Sequence, residues 1–510
     1  MKNNLLDQIS KFLKWVLFAG AFSYIILYLI VVFFRIRYPF ELMWLEGAYV
    51  DHVNRILSGY KYYVRPSLEF VPSIYTPLYF YLSALLSKII GIGFLPLRLI
   101  SVASSLGSSL IIYLMVKRDT GDRFSGLLAS CLFIATFYLS GASFDIGRVD
   151  SLFLFFLLAA LYIVKFNESQ KSYFLAGVLI SLSFLTKQTA LVISLPVILY
   201  CILINRRLAF SFITPIVMIV GFGSLLLNYY YDGWFNFYVF ELPRTTPVDN
   251  KILLSFWPKD IIMPMGIAFS IGIFYLLSEL LESNKKTFLF YFLTALGTFM
   301  ASWYSRYRIG FFNVLFPAYA VMSVLFGLGL NKLLEMSRTI SMDKRSLIKI
   351  LIYLFCIVQF SSDRLIYNPL NQIPSSKDLE AGREFIKKIS QIKGDIFIFD
   401  HGYLSVLAGK RSYANIMGAR DIFFTNNIKH ADIKAKLYAE IDQALEEKKF
   451  SAVIIDSVET CNLQPRIIKN YTLKEKIFND ETVFIPIIGT KTRPDLIYVP
   501  TDNSSPKINQ

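Results

Sequence analysis

Close to the N-terminus lies an uncharged apolar run, Trp15 to Phe34, that is long enough to cross a lipid bilayer. A spanning helix needs about 20 apolar residues, whereas the apolar core of a signal peptide has about 7–15 and ends in small residues. This run ends in Arg35, Arg37 and Tyr38 instead. It therefore predicts a membrane span that the mature chain retains.

Ten further apolar runs repeat this pattern. Hydropathy places them at about 97–116, 124–141, 151–165, 173–188, 190–204, 209–228, 261–281, 286–303, 311–330 and 347–362. The chain is 55% hydrophobic and 17% charged, whereas soluble proteins have about 25% charged residues. The predicted fold is an α-helical polytopic membrane protein with about 11 spans.

The basic residues predict the orientation. The net charge is +15, and Lys and Arg collect in alternate connections such as 117–123, 205–207 and 331–349. Basic connections stay in the cytoplasm, so the charge indicates topology rather than nucleic-acid binding. The N-terminus is then cytoplasmic in a multi-pass protein of the cell (inner) membrane. This alternation requires that Tyr75–Gly91 forms an interfacial or re-entrant helix on the outer side.

The composition changes near Asp363 and predicts a small outer α/β domain. Helical periodicity covers 377–390 and 433–450, and short buried strands are expected at 395–400 and 451–456. The predicted domains are therefore residues 1–362, with a first outer loop at 36–96, and residues 363–510.

Two strand ends in this predicted domain carry polar residues. They are Asp400-His401-Gly402 and Asp456-Ser457, and α/β folds often bind ligands at such positions. Ordinary turn residues give the same pattern, so both interpretations stay open. His430 stands alone in a polar stretch and is expected on the surface.

The predicted outer segments mix acids, bases and aromatic residues, whereas the spans are nearly uncharged. Transporters more often place ionisable residues within the spans. The pattern therefore favours a transferase that uses a lipid-linked donor over a transporter or flippase of lipid-linked glycans. In a transferase, a carboxylate takes the proton of an acceptor hydroxyl and cations stabilise the leaving phosphate.

Six segments in order resemble the GT-C superfamily of membrane glycosyltransferases, within it the protein O-mannosyltransferase and lipid A aminoarabinose transferase group. They are LEGAYVDHVNRILSGYKYY (45–63), IYTPLYFYLSALLSKIIG (74–91), LPLRLISVASSLGS (95–108), FDIGRVDSLFLFF (144–156), LSFLTKQTALVISLP (182–196) and RYRIGFFNVLFPAYAVMSVL (306–325). The resemblance implies inverting transfer of a sugar from a polyprenyl-phosphate donor to a lipid, glycan or protein hydroxyl.

The resemblance also implies roles for individual residues. The family's base often belongs to an Asp-Glu pair that is Leu45-Glu46 here, so Glu46 is the predicted base and Glu41 the alternative. Asp150 corresponds to the acid of the second outer loop. It is the second predicted catalytic residue, with ion pairing to Arg148 as the structural alternative. Lys187, Arg306 and Arg308 correspond to positions that bind the donor phosphate, with extension of each side chain toward lipid headgroups as the alternative.

Three expectations remain: for the tyrosines of the first loop, for a metal ion, and for Arg98. Tyrosines of the first loop are expected to line the sugar or acceptor site or to lie among lipid headgroups; they are Tyr49, Tyr62, Tyr63 and Tyr75. A divalent metal is possible, but a lone histidine such as His52 is more typical of a hydrogen-bonded structural residue. Arg98 is expected to extend its guanidinium group toward headgroups.

Overall fold

The computed structural model describes residues 2–282, 284–339, 341–425, 430–456 and 463–501. The helices up to Phe360 are α1 (Lys2–Arg35), α2 (Glu46–Leu57), α3 (Leu78–Ile90), α4 (Phe94–Thr120), α5 (Arg123–Ala135), α6 (Asp150–Phe166), α7 (Gln170–Thr186), α8 (Thr189–Ile204), α9 (Arg206–Pro215), α10 (Gly223–Tyr230), α11 (Trp234–Asn236), α12 (Asn250–Ser255), α13 (Met263–Leu281), α14 (Lys285–Tyr307), α15 (Phe316–Arg338) and α16 (Met342–Phe360). π-Helical turns at Ile216–Phe222 and Phe256–Ile262 join α9 to α10 and α12 to α13.

Every predicted span contains a helix, although α5 ends at Ala135, six residues before the predicted end of its span at 141. Five stretches are long and apolar enough by themselves to cross a membrane: Leu5–Arg35, Phe94–Thr120, Arg206–Tyr230, Asn250–Leu281 and Phe312–Arg338. The other six predicted spans correspond to α5, α6, α7, α8, α14 and α16. The chain is therefore a multi-pass α-helical membrane protein, as the hydropathy predicts.

Helix α15 forms the centre of the bundle, because it is buried almost along its whole length. It packs against α4, α5, α13, α14 and α16. Glycines allow this close approach, since a Cβ on Gly327 would lie 2.8 Å from the Cβ of Ala129. Small residues at such contacts are typical of membrane helices, where close backbone packing stabilises association.

One end of the bundle carries the first loop (residues 36–93), and we call it the loop end. Helix α3 lies in this loop and packs against α2, α4 and α7. It has 13 residues and is about 20 Å long at 1.5 Å per residue, too short for a hydrocarbon core of about 30 Å. Helix α5 is equally short, so the interfacial placement of α3 stays a prediction.

The C-terminal region (residues 363–501) contains a small mixed sheet with helices. Its elements are α17 (Ser376–Ser390), β1 (Ile396–Ile398), α18 (Leu404–Leu407), α19 (Ile416–Phe423), α20 (Ala431–Glu446), β2 (Ala452–Asp456), α21 (Gln464–Ile467), β3 (Tyr471–Lys476) and β4 (Pro494–Pro500). The strand order is β1-β2-β4-β3; β1 and β2 are parallel, and the other pairs are antiparallel.

The two helices and two strands predicted in this region are present, whereas β3 and β4 were not predicted. Strand β3 is exposed along most of its length, so its sequence lacks the apolar run that marked β1 and β2. Ser457, at the end of β2, lies outside the described residues.

The C-terminal region packs directly on the first loop. Ile488 donates its backbone N–H to the Leu42 carbonyl at 2.8 Å, and the rings of Phe40 and Phe484 meet edge to face at 5.1 Å. The main hydrophobic core contains residues from both parts. The division at residue 362 therefore stays a prediction.

His430 corrects one expectation, because it is buried rather than on the surface. Its ring packs edge-on against Phe237, with centroids 5.0 Å apart. The polar sequence around His430 gave no sign of this contact, which depends on how the C-terminal region docks on the helix bundle.

Candidate functional site

Asp150 lies at the loop end, where two antiparallel helices bring opposite charges together. It is the first residue of α6, and Lys187 directly follows the last residue of α7. An acid is stabilised at a helix N-terminus and a base at a C-terminus. Lys187 Nζ lies 2.6 Å from Asp150 Oδ1, and Arg148 Nε lies 3.4 Å from Oδ2; all three side chains are buried.

Three atoms around this carboxylate have unused hydrogen-bonding capacity. Among the described residues, Asp150 Oδ2, Arg148 Nε and Asn313 Oδ1 are buried without a hydrogen-bond partner. The Asn313 side chain also interacts with the Asp150 carboxylate. Buried polar atoms are normally paired. Arg148 Nε and Asp150 Oδ2 form a long ion pair with each other at 3.4 Å, and Asn313 Oδ1 lies beside them, so a polar ligand could improve the hydrogen bonding here.

Tyr75 completes this group, which we call the Asp150 cluster (Tyr75, Arg148, Asp150, Lys187 and Asn313). Arg148 Nη2 lies 3.4 Å from the Tyr75 hydroxyl, and Lys187 Nζ lies 5.9 Å from the centre of the tyrosine ring. Tyr75 is partly exposed. Of the four predicted tyrosines, Tyr75 belongs to the cluster, and Tyr49 stacks on it with ring centroids 6.4 Å apart.

The other three predicted tyrosines lie in the aromatic packing beneath the first loop. Tyr49 stacks on Phe80 with centroids 5.3 Å apart, and Tyr62 meets Tyr63 edge to face at 4.6 Å. All three are buried. Their observed contacts therefore support the fold of the loop, and a role in sugar binding stays a prediction.

Glu46 forms a completely buried ion pair with Arg98. Arg98 donates to Oε1 from Nε at 2.9 Å and to Oε2 from Nη2 at 2.8 Å. Backbone N–H groups of Gly147 and Leu42 donate to the same carboxylate at 2.7 and 2.9 Å. Charge-assisted bidentate hydrogen bonds are among the strongest hydrogen bonds in proteins. The bond from Gly147 also holds the first loop against the residue that precedes Arg148.

These contacts correct the expectation for Arg98. It does not extend toward headgroups, because it is fully buried and also donates to the carbonyls of Arg35, Tyr38 and Phe40. The role of Glu46 as a base stays a prediction, and its four donors favour a role in positioning.

Two other acids of the first loop face the C-terminal region. Asp51 Oδ2 accepts from the Tyr403 N–H, the Ser412 hydroxyl and the Asn415 amide. Burial raises the pKa of Asp51 to about 6 although these hydrogen bonds oppose the shift. Burial likewise raises the pKa of Glu41, the alternative base, to about 7.

The predicted phosphate-binding arginines have partners of their own. Arg306 Nε lies 3.0 Å from Asp260 Oδ2. Arg308 donates to the carbonyls of Arg244 and Thr246 at 2.8 and 3.0 Å. Arg306 lies in the last turn of α14, and Arg308 directly follows this helix. Their binding of donor phosphate stays a prediction.

The first loop and the C-terminal region touch backbone to backbone at two glycines. A Cβ on Gly402 would lie 2.5 Å from the Ala48 nitrogen, and one on Gly47 would meet the Gly402 carbonyl oxygen. Both obstructing atoms belong to the backbone, which cannot move aside as a flexible side chain could. Gly is therefore required at both positions for this docking.

We expect Gly402→Ala to destabilise the docked state by about 1–3 kcal/mol, because the added methyl group overpacks the contact. Hydrogen exchange of residues 41–55 and thermal unfolding measure this effect. Gly223→Ala serves as the control, since a Cβ there meets nothing within 4 Å. Unchanged exchange in Gly402→Ala would show that the two parts do not dock this way.

The sequence did not point to Asn313, because a single Asn after an apolar stretch carries no pattern. It lies in a 3₁₀ turn, Phe312–Leu315, before α15. Only the folded arrangement places it beside Asp150.

Among the described residues, no three His, Cys, Asp or Glu side chains converge in a way that could hold a metal ion.

Comparisons with known proteins agree with this architecture. Residues 72–230 match the dolichyl-phosphate-mannose-protein mannosyltransferase family, and this range contains Tyr75, Arg148, Asp150 and Lys187. No curated protein matches the chain by sequence.

Among solved structures, the chain is similar to ArnT from Cupriavidus metallidurans. The complex with undecaprenyl phosphate has a TM-score of 0.58 at 11% identity, over 95% of this chain and 99% of that one. The apo form has a TM-score of 0.56 at 11% identity, over 94% and 98%. These matches extend over both the helix bundle and the C-terminal region, and they show a shared fold.

Proposed function

We propose that this chain is a membrane glycosyltransferase of the GT-C superfamily and that it transfers a sugar from a polyprenyl-phosphate carrier to an acceptor hydroxyl; the fold and the family match over residues 72–230 support this proposal. Transfer takes place with inversion at the loop end, which faces away from the cytoplasm. The Asp150 cluster is the reaction centre. The similar ArnT structure with bound undecaprenyl phosphate supports this class of donor.

The observation that carries this proposal is a charged cluster with unused hydrogen-bonding capacity. Among the described residues, Asp150 is the acid that forms ion pairs with both Lys187 and Arg148. An incoming phosphate can replace the carboxylate as their partner, because both are anionic oxygen acceptors. Phosphate binding would thus free Asp150 from its cations and raise its basicity at the moment when a base is needed.

In the proposed reaction the acceptor oxygen attacks the anomeric carbon of the donor. The bond from that carbon to the phosphate oxygen breaks, and polyprenyl phosphate leaves. Asp150 takes the proton of the acceptor hydroxyl, and Lys187 and Arg148 stabilise the negative charge that develops on the leaving phosphate. Glu46 holds Gly147 and thereby positions Arg148 and Asp150.

The positions of the charged pairs support a transferase over a flippase. Among the described helices, Asp150 and Lys187 meet at the loop end, and Asp119 and Lys165 meet 3.4 Å apart at the opposite end. A carrier of polar glycans across the membrane would be expected to line the middle of the bundle with such groups.

We expect Lys187→Met to weaken the binding of undecaprenyl phosphate by about 10- to 100-fold, because a hydrogen bond to a charged group contributes about 1.5–3 kcal/mol. Binding is measured with the purified chain in nanodiscs. Lys165→Met is the control, since Lys165 also pairs with an aspartate, Asp119, but at the opposite end. Equal losses in both variants would contradict a phosphate site at Lys187.

A further inference from the structure

His401 joins two acidic side chains that come from different parts of the chain. Its Nδ1 lies 2.5 Å from Glu41 Oε2 in the first loop, and its Nε2 lies 3.1 Å from Asp456 Oδ2 at the end of β2. All three side chains are buried. The Thr492 hydroxyl also donates to the Asp456 carboxylate. This arrangement, Glu41–His401–Asp456, is called the histidine clasp below.

When both acids are ionised, the clasp requires a protonated ring. Neutral imidazole has one donor nitrogen and one acceptor nitrogen, whereas both nitrogens donate in the imidazolium form. A neutral ring would turn a lone pair toward one of the two carboxylates. The two carboxylates accordingly raise the pKa of His401 well above its usual value, against the opposing effect of burial.

The clasp has no room for substrate. Glu41 and His401 line a cavity together with Tyr38, Asp378 and Phe484, and its volume is about 10 Å³. That volume holds one water at most and no sugar ring. The two carboxylates also lie on opposite ring nitrogens, so they cannot bind one ion together with the histidine.

A continuous series of contacts connects the clasp to the Asp150 cluster. Glu41 Oε1 accepts the Gly47 N–H at 2.9 Å, and the preceding residue, Glu46, accepts the Gly147 N–H at 2.7 Å. Gly147 precedes Arg148, which pairs with Asp150. The close contact of Gly402 with Gly47 and Ala48 fixes the spacing beside the clasp.

The charged groups around His401 come from three elements. Glu41 belongs to the first loop, Asp456 to β2, and Asp378 to α17, where it lines the same cavity. The nearby Glu46 is already neutralised by Arg98. All three remaining neighbours are acidic, so they favour the cationic form of His401.

We propose that His401 is a positioning residue of the transfer reaction, through which the C-terminal region holds the first loop and, with it, Arg148 and Asp150 in their working geometry. This inference rests on the proposed function. While both acids are ionised, the clasp holds as long as His401 is protonated, and it is lost as the pH rises through the pKa of His401. Sugar transfer should therefore decline at alkaline pH, because His401 in the C-terminal region loses its proton.

The test compares His401→Gln with His430→Gln in the full chain, reconstituted in proteoliposomes with polyprenyl-phosphate sugars. His430 is the matched control, since it is also a buried histidine that joins the C-terminal region to the bundle. We expect kcat to fall by about 10- to 100-fold in His401→Gln, because small displacements of reacting groups have effects of this size. The affinity for undecaprenyl phosphate should not change, and His430→Gln should behave as wild type.

The pH profile separates positioning from general stability. The alkaline decline should disappear in His401→Gln. In Asp456→Asn it should move to lower pH, because one of the carboxylates that stabilise the imidazolium is gone. Asp456→Asn retains the His401 imidazole. Its pH profile therefore tests the positioning role of His401 even if His401→Gln does not fold.

Two results would overturn this role of His401: wild-type kcat in His401→Gln, or an alkaline decline that stays at the same pH in Asp456→Asn. A wild-type chain that turns over no polyprenyl-phosphate sugar would instead contradict the proposed function. The two failures are therefore distinguishable.

Discussion

Asp150→Asn is expected to lower sugar transfer by about 10²- to 10⁴-fold, the usual contribution of a general base. The amide has nearly the same shape as the carboxylate but cannot take the acceptor's proton. The substitution also removes the anion that competes with phosphate for Lys187 and Arg148. Binding of undecaprenyl phosphate should therefore be as tight as in wild type or tighter.

This combination of lost turnover and retained binding separates catalysis from folding. Turnover and affinity are measured on the same preparation, with Asp119→Asn as the matched control because Asp119 pairs with Lys165 at the opposite end of α6. If Asp150→Asn lost binding and turnover together, Asp150 would be a structural partner of its cations. If it retained turnover, Asp150 would not be the base.

Glu46→Gln is expected to reduce the stability of the folded chain by about 3–5 kcal/mol, because removing one partner of a buried ion pair leaves the other charge uncompensated. Arg98 is completely buried, and its guanidinium group also fixes the start of the first loop. Thermal unfolding in detergent and the yield of folded protein measure the loss.

The double variant Glu46→Gln/Arg98→Gln should recover part of this stability, since it removes both charges. The opposite result is equally informative. If Glu46→Gln folded with wild-type stability and yet lost transfer about 100-fold, Glu46 would be the base, as the resemblance implies, and the positioning role argued from its four donors would be wrong.

The sequence predicted the features that depend on one helix at a time. Membrane helices were evident because each needs its own apolar run. Asp150 and Lys187 could be placed at the same end, since consecutive spans alternate in direction. Their direct contact, at 2.6 Å, follows from that topology, because the start of α6 and the end of α7 must be neighbours.

Contacts between distant segments could not be predicted. Glu46 and Arg98 each looked like a residue of the membrane edge, and only packing showed that they neutralise each other. His401 lies 360 positions from Glu41 in the sequence. No periodicity or local motif encodes such a pair, because it depends on where the C-terminal region docks.

Leu45 stands where the family's Asp-Glu pair would place an acid. It directly precedes α2 and is partly buried against the core. The charge lost at this position is not replaced nearby in the loop, where Glu41 and Asp51 are bound to the C-terminal region. Among the described residues, Asp150 lies beside two cations, Lys187 and Arg148, whereas the buried Asp145 pairs with Arg35.

The most direct test of the central claim is the release of the lipid carrier. The wild-type chain is reconstituted with polyprenyl-phosphate sugars and an extract of membrane acceptors, and free polyprenyl phosphate is followed by mass spectrometry. Our account predicts that wild type and Asp119→Asn release polyprenyl phosphate in step with the loss of donor, whereas Asp150→Asn does not. Release at the wild-type rate by Asp150→Asn, or movement of intact donor across the bilayer without release by wild type, would contradict it.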